Sequence, residues 1–399
     1  MQLTVVGNPE NRRVTLFTDA VRASGLPTPT ILAWADLLTG AAGPPGPDAT
    51  VRIDSPGENP LVDRLLRRAA TPARHGELLG LSDTYAGLVD GVARVADGGA
   101  DLLNDPTEVA VLCDKRRCHA RLAAAGVPVP PALGPIHGYD QLRAAMDQAR
   151  WRRVFVKPAH GSSAAGVIAL TVGPHRIQAV TPIEVAPDGL FNSLRVRRYD
   201  DEATVAALVD RLAPEGLHVE RWLPKVGLAD RVVDLRVVVV AGRPTHVVVR
   251  AARGPLTNLH LGNARGDLAE LRAAAGPTAW AAAMQTCEQV AGCFPGSLHV
   301  GVDLMFLVGW RRHAVAEVNA FGDLLPGVRT DGRDTYAEQV HALTTGRWSR
   351  WRTAAGRPEA AGDGCRPEAA GDVCRAKAAG DLGGRTGSTS EREVAGCAV

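Results

Sequence analysis

The sequence predicts an α/β plus α+β protein, in which a parallel α/β domain precedes a region of antiparallel hairpins. Near the N-terminus, apolar runs at 3–6 and 30–34 flank a helical pattern at 14–21, which is the β-α-β order typical of a parallel sheet. Farther along, apolar runs at 232–240 and 245–250 flank the turn Ala-Gly-Arg-Pro and indicate an antiparallel hairpin. The sequence therefore predicts a parallel sheet in the N-terminal part of the chain and antiparallel sheets in the part that follows.

The N-terminal domain is expected over 1–105. The loop that follows its first strand runs from Gly7 to Arg13 and lacks the spacing Gly-x-Gly-x-x-Gly, so a structural role is favoured over a dinucleotide site. A second domain is expected over 106–350, with a lid at about 130–219.

The second domain is predicted to open with a helix over 106–125, because Pro106 lies at its start and Gly126 just past its end. Further helices are predicted over about 138–150, 205–213 and 278–292. Additional strands are predicted over 154–156, 167–170 and 217–220.

The length, net charge and cysteine content of the chain limit the classes of function that it can have. With 399 residues the chain is long enough for two to three domains, and a net charge of +2 gives no strong attraction to nucleic acid or membranes. No apolar run approaches a transmembrane span, and the N-terminus lacks a signal-peptide pattern. The seven cysteines form no Cys-x-x-Cys pair, which favours reduced thiols in a cytoplasmic protein without structural zinc.

The last part of the chain changes in character. Residues 357–365 recur as 366–374 with a period of nine, and the repeat has almost no large apolar side chains. Such a segment cannot bury enough surface to fold, so 351–399 is predicted to be a disordered tail. We expect deletion of 353–399 to leave the melting temperature nearly unchanged.

The stretch around the turn at 309–312 carries the most chemical information. Two apolar runs flank this turn and predict a hairpin. The hairpin places Asp303 opposite Glu317 to within about a residue, and Glu317 and Asn319 share one face. Two carboxylates and an amide oxygen are ligands that Mg²⁺ prefers. A solvated surface acid is the alternative, but both acids interrupt apolar strands, where a carboxylate needs a partner or a metal.

A second stretch has the form expected of a phosphate-binding loop. A strand ends at Lys157 and is followed by small residues from Gly161 through Ser162 and Ser163 to Gly166, whose backbone N–H groups can point at phosphate oxygens. A flexible hairpin loop is the alternative, and the lysine at the loop's root argues against it. The lysine precedes the glycines, which excludes the Walker order.

Lysine is rare among the basic residues. Of 45 lysine and arginine residues, the lysines are Lys115, Lys157, Lys225 and Lys377. Lysine presents a compact ammonium where arginine presents a planar fork, so a retained lysine suggests a position where a point charge is needed.

Three polar residues follow in the region of the central hairpin. Arg236 interrupts an apolar strand and therefore needs an anionic partner, either a structural carboxylate or a phosphate. Arg250 ends the next strand, and Asn258 and His260 lie in the loop beyond it. His260 is better explained as a hydrogen-bonding loop residue than as a base.

Taken in order, these blocks resemble the ATP-grasp superfamily, most closely the branch that contains the ribosomal-protein glutamate ligases. The resemblance covers about 106–330. By this resemblance, Lys115, Lys157, Gly161, Ser162, Ser163 and Gly166 bind ATP phosphates, and Glu220, Arg221, Trp222 and Leu223 form the hinge that reads adenine. It further places Asp303, Glu317 and Asn319 on the metal, and Arg236, Arg250 and Asn258 at the reacting groups.

The resemblance implies an ATP-grasp core behind a pre-ATP-grasp domain, with ATP and Mg²⁺ or Mn²⁺ as cofactors. It implies an ADP-forming ligase that converts a small-molecule or peptide carboxylate to an acyl phosphate, which an amine then attacks. An ATP-dependent phosphotransferase and a non-catalytic ATP-binding module are the alternatives. Segment 171–204 has no counterpart in the family pattern, and Asp230 is only a candidate for the ribose-binding acid.

Overall fold

The computed structural model describes residues 1–162 and 164–355 of the chain. Ser163 and the repeat segment 356–399 lie outside the described residues. Within the described part, no helix is both long and apolar enough to cross a lipid bilayer.

The N-terminal domain is a parallel α/β unit, as predicted. Its sheet has the order β2-β1-β3-β4 with every pairing parallel. The strands are β1 (Gln2–Gly7), β2 (Thr30–Ala33), β3 (Ala49–Ile53) and β4 (Asp101–Leu102), and the helices are α1 (Arg12–Ala23), α2 (Trp34–Thr39), α3 (Pro60–Arg67) and α4 (Leu81–Ala96). The side chain of Asn11 caps α1 by accepting the backbone N–H of Arg13 at 2.9 Å.

The predicted single helix over 106–125 is wrong, because two helices occupy this span. They are α5 (Pro106–Leu112) and α6 (Lys115–Ala124). The break lies at Asp114, whose carboxylate accepts the backbone N–H groups of Arg116 and Arg117 at 2.9 and 3.3 Å and so caps α6. Lys115 consequently stands at the first position of α6, where its own backbone N–H donates to Ala159 at 2.9 Å.

An antiparallel sheet with the order β8-β7-β6-β5-β9 occupies much of the span predicted as a lid. Its strands are β5 (Arg153–Pro158), β6 (Ile168–Gly173), β7 (Arg176–Ala186), β8 (Gly189–Tyr199) and β9 (Leu217–Arg221), with α7 (Tyr139–Ala149) and α8 (Glu202–Leu212). We call this unit the lid sheet. The unplaced segment 171–204 is therefore mainly the long β7–β8 hairpin, whose pairing register shifts between Thr181 and Ile183.

A second antiparallel sheet, the core sheet, has the order β13-β12-β11-β14-β15, and β10 pairs with β11. Its strands are β10 (Gly227–Leu228), β11 (Arg231–Val240), β12 (Arg243–Ala252), β13 (Ala264–Gly266), β14 (His299–Phe306) and β15 (His313–Asn319). The remaining helices are α9 (Leu268–Gly292), α10 (Thr335–Thr344) and α11 (Arg347–Ala354). The span of α9 contains two helices that meet at a kink, because Gly276 has non-helical φ and ψ values of 74° and 163° and Pro277 follows it. The second of these helices begins close to the start of the predicted helix over 278–292.

A buried ionic cluster joins the N-terminal domain to the core. Arg52 on β3 has no exposed side-chain surface and pairs with Asp54 and with Asp323, both at 2.6 Å. Asp323 also accepts from Arg13 at 2.7 Å and from Gln339 at 2.9 Å. Burial alone raises the pKa of the Asp323 carboxyl, but the surrounding positive groups outweigh it and hold the pKa far below its usual range. The two domains are therefore connected by an ion-pair network in which Arg52, Asp54 and Asp323 are buried and Arg13 is partly exposed.

The predicted start of the tail at 351 is too early, because α11 continues to Ala354. Trp348 is only 3% exposed, and Arg352 pairs with Asp101 at 2.6 Å. A deletion starting at 353 therefore cuts this helix, so the test of the tail starts at 356.

We expect a chain ending at 355 to melt within a degree or two of the full chain, since the removed sequence lacks the apolar side chains of a core (about 1 kcal/mol shifts the midpoint by about 2–4 °C in larger domains). A chain ending at 346 loses Trp348 and serves as the destabilised control in a calorimetric scan. A drop of many degrees for the first truncation would contradict the prediction.

Candidate functional site

The β14–β15 hairpin brings the predicted metal ligands together. Asp303 pairs across the strands with Glu317, and Gly301 pairs with Asn319. The pairing agrees with the sequence prediction, which was made to within about a residue, and a β-bulge between Asp303 and Leu304 sets the exact partner. Glu317 and Asn319 lie on one face. Asp303 is buried, whereas Glu317 and Asn319 are partly exposed.

Two arginines hold the Asp303 carboxylate. Arg236 reaches it from β11 through two N–H groups, one of them at 3.1 Å, and Arg250 donates to Oδ2 at 3.1 Å. Burial raises the pKa of Asp303, but the charges of Arg236 and Arg250 outweigh it and lower the pKa below its usual value. Arg236 therefore has a structural carboxylate partner, Asp303, within the protein.

An acidic residue that the sequence analysis did not select completes this network. Asp234 accepts from Arg250 Nε at 2.7 Å and from Lys225 Nζ at 2.6 Å. Its pKa lies far below the usual range because these two cations outweigh the effect of burial. Asp234 interrupts the same apolar strand as Arg236, and this was the signal available in the sequence. Arg250 is thereby fixed between two carboxylates.

The two predicted phosphate-binding lysines come from different elements, and both contact residues of β15. Lys115 Nζ, from the start of α6, lies 3.3 Å from Glu317 Oε1, and Lys157 Nζ, from β5, lies 2.6 Å from Glu220 Oε1. Lys157 also donates to the carbonyl of Ala316, next to Glu317, at 3.4 Å. Both ammonium groups therefore face the strand that carries the predicted metal ligands.

The Lys157–Glu220 pair is buried, and each charge stabilises the other. Burial lowers the pKa of Lys157, but the nearby carboxylates, with Glu220 first, outweigh it and raise the pKa. Burial likewise raises the pKa of Glu220, and Lys157 together with His218 lowers it to about 2. The pair stays charged at neutral pH, where a nucleotide would meet it.

This pair predicts a pH effect on stability. Because the folded-state pKa of Glu220 is about 2 and that of an unfolded glutamate is about 4.3, the pair's contribution is complete above about pH 5 and is lost as the pH falls through 4 towards 2. Urea unfolding at a series of pH values should therefore show a steeper acid loss for the wild type than for Glu220→Gln. Equal slopes between pH 5 and 3 would contradict this assignment.

The predicted phosphate loop connects β5 to β6. Gly161 and Gly166 have φ values of 155° and 68°, a region that favours glycine. A Cβ atom at Gly166 would lie 2.6 Å from Pro158 Cγ, so a larger residue would push the loop outward. The Nζ of Lys115 donates to the carbonyl of Gly161, which fixes the loop beside the lysine; Ser163 lies outside the described residues.

Asn192 on β8 connects this loop to two other parts of the molecule. Its side-chain oxygen accepts the N–H of Gly166 at 3.3 Å, and its backbone N–H donates to Gly76 of the N-terminal domain at 2.6 Å. One residue of the β7–β8 hairpin therefore contacts both the predicted phosphate loop and the N-terminal domain.

The predicted hinge residues lie at the end of β9 and just beyond. The backbone N–H of Arg221 donates to Pro131 at 2.8 Å and that of Trp222 to Arg153 at 3.1 Å, so both are already used within the protein. The ring of Trp222 packs on Phe155 with centroids 5.1 Å apart. Glu220, Arg221 and Leu223 line the adjoining cleft.

Two connected clefts meet at the site. The first lies between the lid sheet and the core sheet, and the second, of about 780 Å³, extends from the core to the N-terminal domain. The residues that line both are Lys115, Gly161, Arg250, Asn258 and Glu317. Some of the predicted phosphate-binding and reacting groups, namely these five residues, therefore lie where a ligand in one cleft would contact a ligand in the other.

The predicted metal ligands are oxygen donors of the kind that a hard divalent cation prefers, but some of these oxygens already accept hydrogen bonds from other protein groups. Glu317 and the amide of Asn319 supply oxygen ligands on one face, while the oxygens of Asp303 are held by arginines. Within 1–162 and 164–355, no group of three or more His, Cys, Asp or Glu side chains is arranged to hold a metal. The residues fit Mg²⁺ by type, with Glu317 and Asn319 as the accessible ligands.

Comparison with known proteins identifies the fold. No protein-family model and no curated protein matches the sequence. Among solved structures, D-cycloserine synthetase DcsG is similar with a TM-score of 0.52 at 16% identity, over 88% of this chain and 100% of that one. The ATP-grasp ligase PsnB in complex with a minimal precursor has a TM-score of 0.50 at 16% identity, over 86% of this chain and 99% of that one.

A third structure agrees with these two. The macrocyclase MdnC bound with precursor peptide MdnA from Microcystis aeruginosa MRC has a TM-score of 0.50 at 12% identity, over 87% of this chain and 100% of that chain. The fold class predicted from the sequence is thereby confirmed: the chain has the ATP-grasp fold, with a parallel sheet followed by antiparallel sheets.

Proposed function

We propose that this ATP-grasp protein is an ATP- and Mg²⁺-dependent ligase that joins a carboxylate to an amine through an acyl phosphate. The observation that carries the proposal is that Lys115 and Lys157 converge on the strand that carries Glu317, at a place where Lys115 and Glu317 line both clefts. Phosphoryl transfer needs positive charge around the transferred group and correct positioning more than it needs a protein nucleophile. Both needs are met by side chains on rigid elements.

The nucleotide occupies the first cleft in this proposal. Lys115 and Lys157 bind phosphate oxygens as compact charges, and the loop from Gly161 to Gly166 offers backbone N–H groups to the same phosphates. The adenine lies against the segment from Glu220 to Leu223. Mg²⁺, when bound through Glu317 and Asn319, with Asp303 as the third predicted ligand, would supply further neutralisation of phosphate charge.

The acceptor carboxylate occupies the second cleft. Arg236 and Arg250 line it together with Asn258, and Arg236 is partly exposed on that side. An arginine there would orient a carboxylate towards the γ-phosphate and stabilise charge that develops on transfer. Proximity of a bound amine to the resulting acyl phosphate would complete the ligation.

Peptides are one class of substrate to consider. PsnB is described as complexed with a minimal precursor, and MdnC as bound with a precursor peptide. The second cleft, at about 780 Å³, is large enough for several residues of such a chain. A small-molecule carboxylate remains the other class in the proposal.

Release of ADP tests the proposed function. The full chain is incubated with ATP, Mg²⁺ and a panel of amino acids and peptides, with and without hydroxylamine, which traps an acyl phosphate as a hydroxamate. We expect ADP to appear with an acid and an amine together. A phosphorylated product that accumulates without an amine would favour the phosphotransferase, and no turnover with any acid would favour a non-catalytic module.

A further inference from the structure

The second cleft is rich in positive charge. Among the described residues, the acidic side chains that line it are Glu58 and Glu317, and the lysine and arginine side chains are Arg13, Lys115, Arg236, Arg250 and Arg265. The excess of cationic groups suits an anionic ligand.

Most of these cations already have a carboxylate partner. Lys115 pairs with Glu317 and Arg13 with Asp323. Arg236 pairs with Asp303, and Arg250 with both Asp234 and Asp303.

Arg265 differs from the other four. Within the described part of the chain it forms no ion pair, and its guanidinium donates to the backbone carbonyl of Pro326 at 2.9 Å. A guanidinium has five N–H donors, so this one contact leaves most of them available. Arg265 is therefore the cation of the cleft that is best able to accept a further anion.

The fold fixes where Arg265 stands relative to the reacting groups. On the core sheet it pairs directly with Arg250, whose side chain lines both clefts, and directly opposed residues on antiparallel strands share a face. In the order β13-β12-β11-β14-β15, Arg265 lies four strand spacings from Glu317, which is about 19 Å between backbones. An extended peptide of about five or six residues covers that length.

An exposed arginine near a strand end is commonly a solvated charge. Here Arg265 is exposed, but Leu259, Leu324 and Leu325 line the same cleft, so the guanidinium borders a partly apolar surface. The hydrogen bond to the carbonyl of Pro326 orients the guanidinium beside that surface. An anionic substrate group that displaced water from Arg265 would therefore bind to guanidinium N–H donors that are already oriented.

We infer that Arg265 anchors a second anionic group of the acceptor substrate, at a distance from the carboxylate that is activated. The inference rests on the proposed function, because it takes the junction at Glu317 as the reaction centre. It specifies the substrate as a peptide with at least two acidic groups, one at the junction near Arg236 and one at Arg265. Arg265 is a specificity-determining residue in this scheme and takes no part in the chemical step.

Calorimetry on the full chain loaded with Mg²⁺ and a non-hydrolysable ATP analogue tests the inference. The probes are acetylated and amidated peptides with two glutamates separated by zero to five alanines, each compared with its two single Glu→Gln versions. We expect at least one spacing to bind about tenfold or more tighter than its single-acid versions, the range for a hydrogen bond to a charged group. Arg265→Gln should reduce that ratio to about twofold or less.

Arg243→Gln is the matched control, since Arg243 is an exposed arginine at the start of β12 on the same sheet. It should leave the ratio unchanged. Equal binding of two-acid and one-acid peptides, a ratio that survives Arg265→Gln, or no binding by any peptide would overturn the inference.

Release of ADP from the same peptides separates this inference from the proposed function. If the tighter binding of two-acid peptides depends on Arg265 but no peptide releases ADP together with an amine, the inference about Arg265 is supported and the ligase proposal fails. If one-acid and two-acid peptides release ADP equally well, the ligase proposal stands and the anchor fails.

Discussion

Glu317→Gln is expected to reduce ADP release by at least about a hundredfold, the scale seen when one charge-stabilising group is removed from a transition state. The substitution keeps the size of the side chain and removes the charge that faces Lys115 at 3.3 Å. In the ligand-free protein, this carboxylate balances Lys115. If a bound triphosphate drew Lys115 away, Glu317 would need a cation in its place, and Mg²⁺ would supply that charge.

The same reasoning predicts that metal and nucleotide strengthen each other's binding. Calorimetric titration of a non-hydrolysable ATP analogue should show markedly tighter binding with Mg²⁺ in the wild type and a much smaller metal effect in Glu317→Gln. Glu270→Gln, at an exposed position in the first turn of α9, is the control and should behave as wild type.

The fold of the Glu317 variant should survive, because the side chain is partly exposed. The thermal midpoint therefore distinguishes loss of the site from loss of the structure. A Mg²⁺ dependence that is unchanged in Glu317→Gln would remove this residue from the metal site.

Arg52→Leu should lower the free energy of unfolding by about 3–5 kcal/mol, the cost of removing one partner of a buried ion pair. Asp54 and Asp323 would then remain in a water-free environment with less positive charge around them. Arg13 and Gln339 still contact Asp323, so the loss falls most heavily on Asp54.

Urea unfolding measures this loss, and Arg22→Leu is the control. Arg22 pairs with Asp19 at 3.7 Å on the exposed surface of α1, where such a pair contributes less than about 1 kcal/mol. A loss below about 1 kcal/mol for Arg52→Leu would show that the network does not stabilise the connection between the domains.

The Arg52 effect should also depend on pH. The pKa of the folded Asp323 carboxyl lies far below the unfolded value of about 3.9, so its contribution is complete above that value and decreases as the pH falls. The difference in stability between wild type and Arg52→Leu should therefore shrink as the pH falls below about 4.

Local patterns in the sequence were enough to predict the β14–β15 hairpin and its register to within about a residue. The two-residue period places Glu317 and Asn319 on one face. The pairing that continues from the turn would put Asp303 opposite Ala316, and a β-bulge between Asp303 and Leu304, which no local pattern encodes, makes Glu317 the partner. The break between α5 and α6 was missed although its signal was present, since Asp114 is a good N-cap residue directly before Lys115. The helical pattern on both sides of Asp114 concealed it.

Long-range pairing could not be predicted in the same way. Arg52 and Asp323 are 271 positions apart, and Lys157 meets Glu220 only because β5 and β9 are neighbours in the lid sheet. No local period encodes such partners. The arginine pairing of Asp303 belongs to the same class, because it depends on which strand lies beside β14.

The contacts of Asn192 have a consequence for how a ligand enters. A swing of the lid hairpin away from the body must break its tie to Gly76, and the same movement pulls on the loop at Gly166. Two further contacts hold the same hairpin to the N-terminal domain, since the backbone N–H of Leu78 donates to Leu190 at 2.9 Å and Arg74 pairs with Asp188. Any outward movement of the hairpin would therefore break several contacts with the N-terminal domain and would also shift the loop at Gly166.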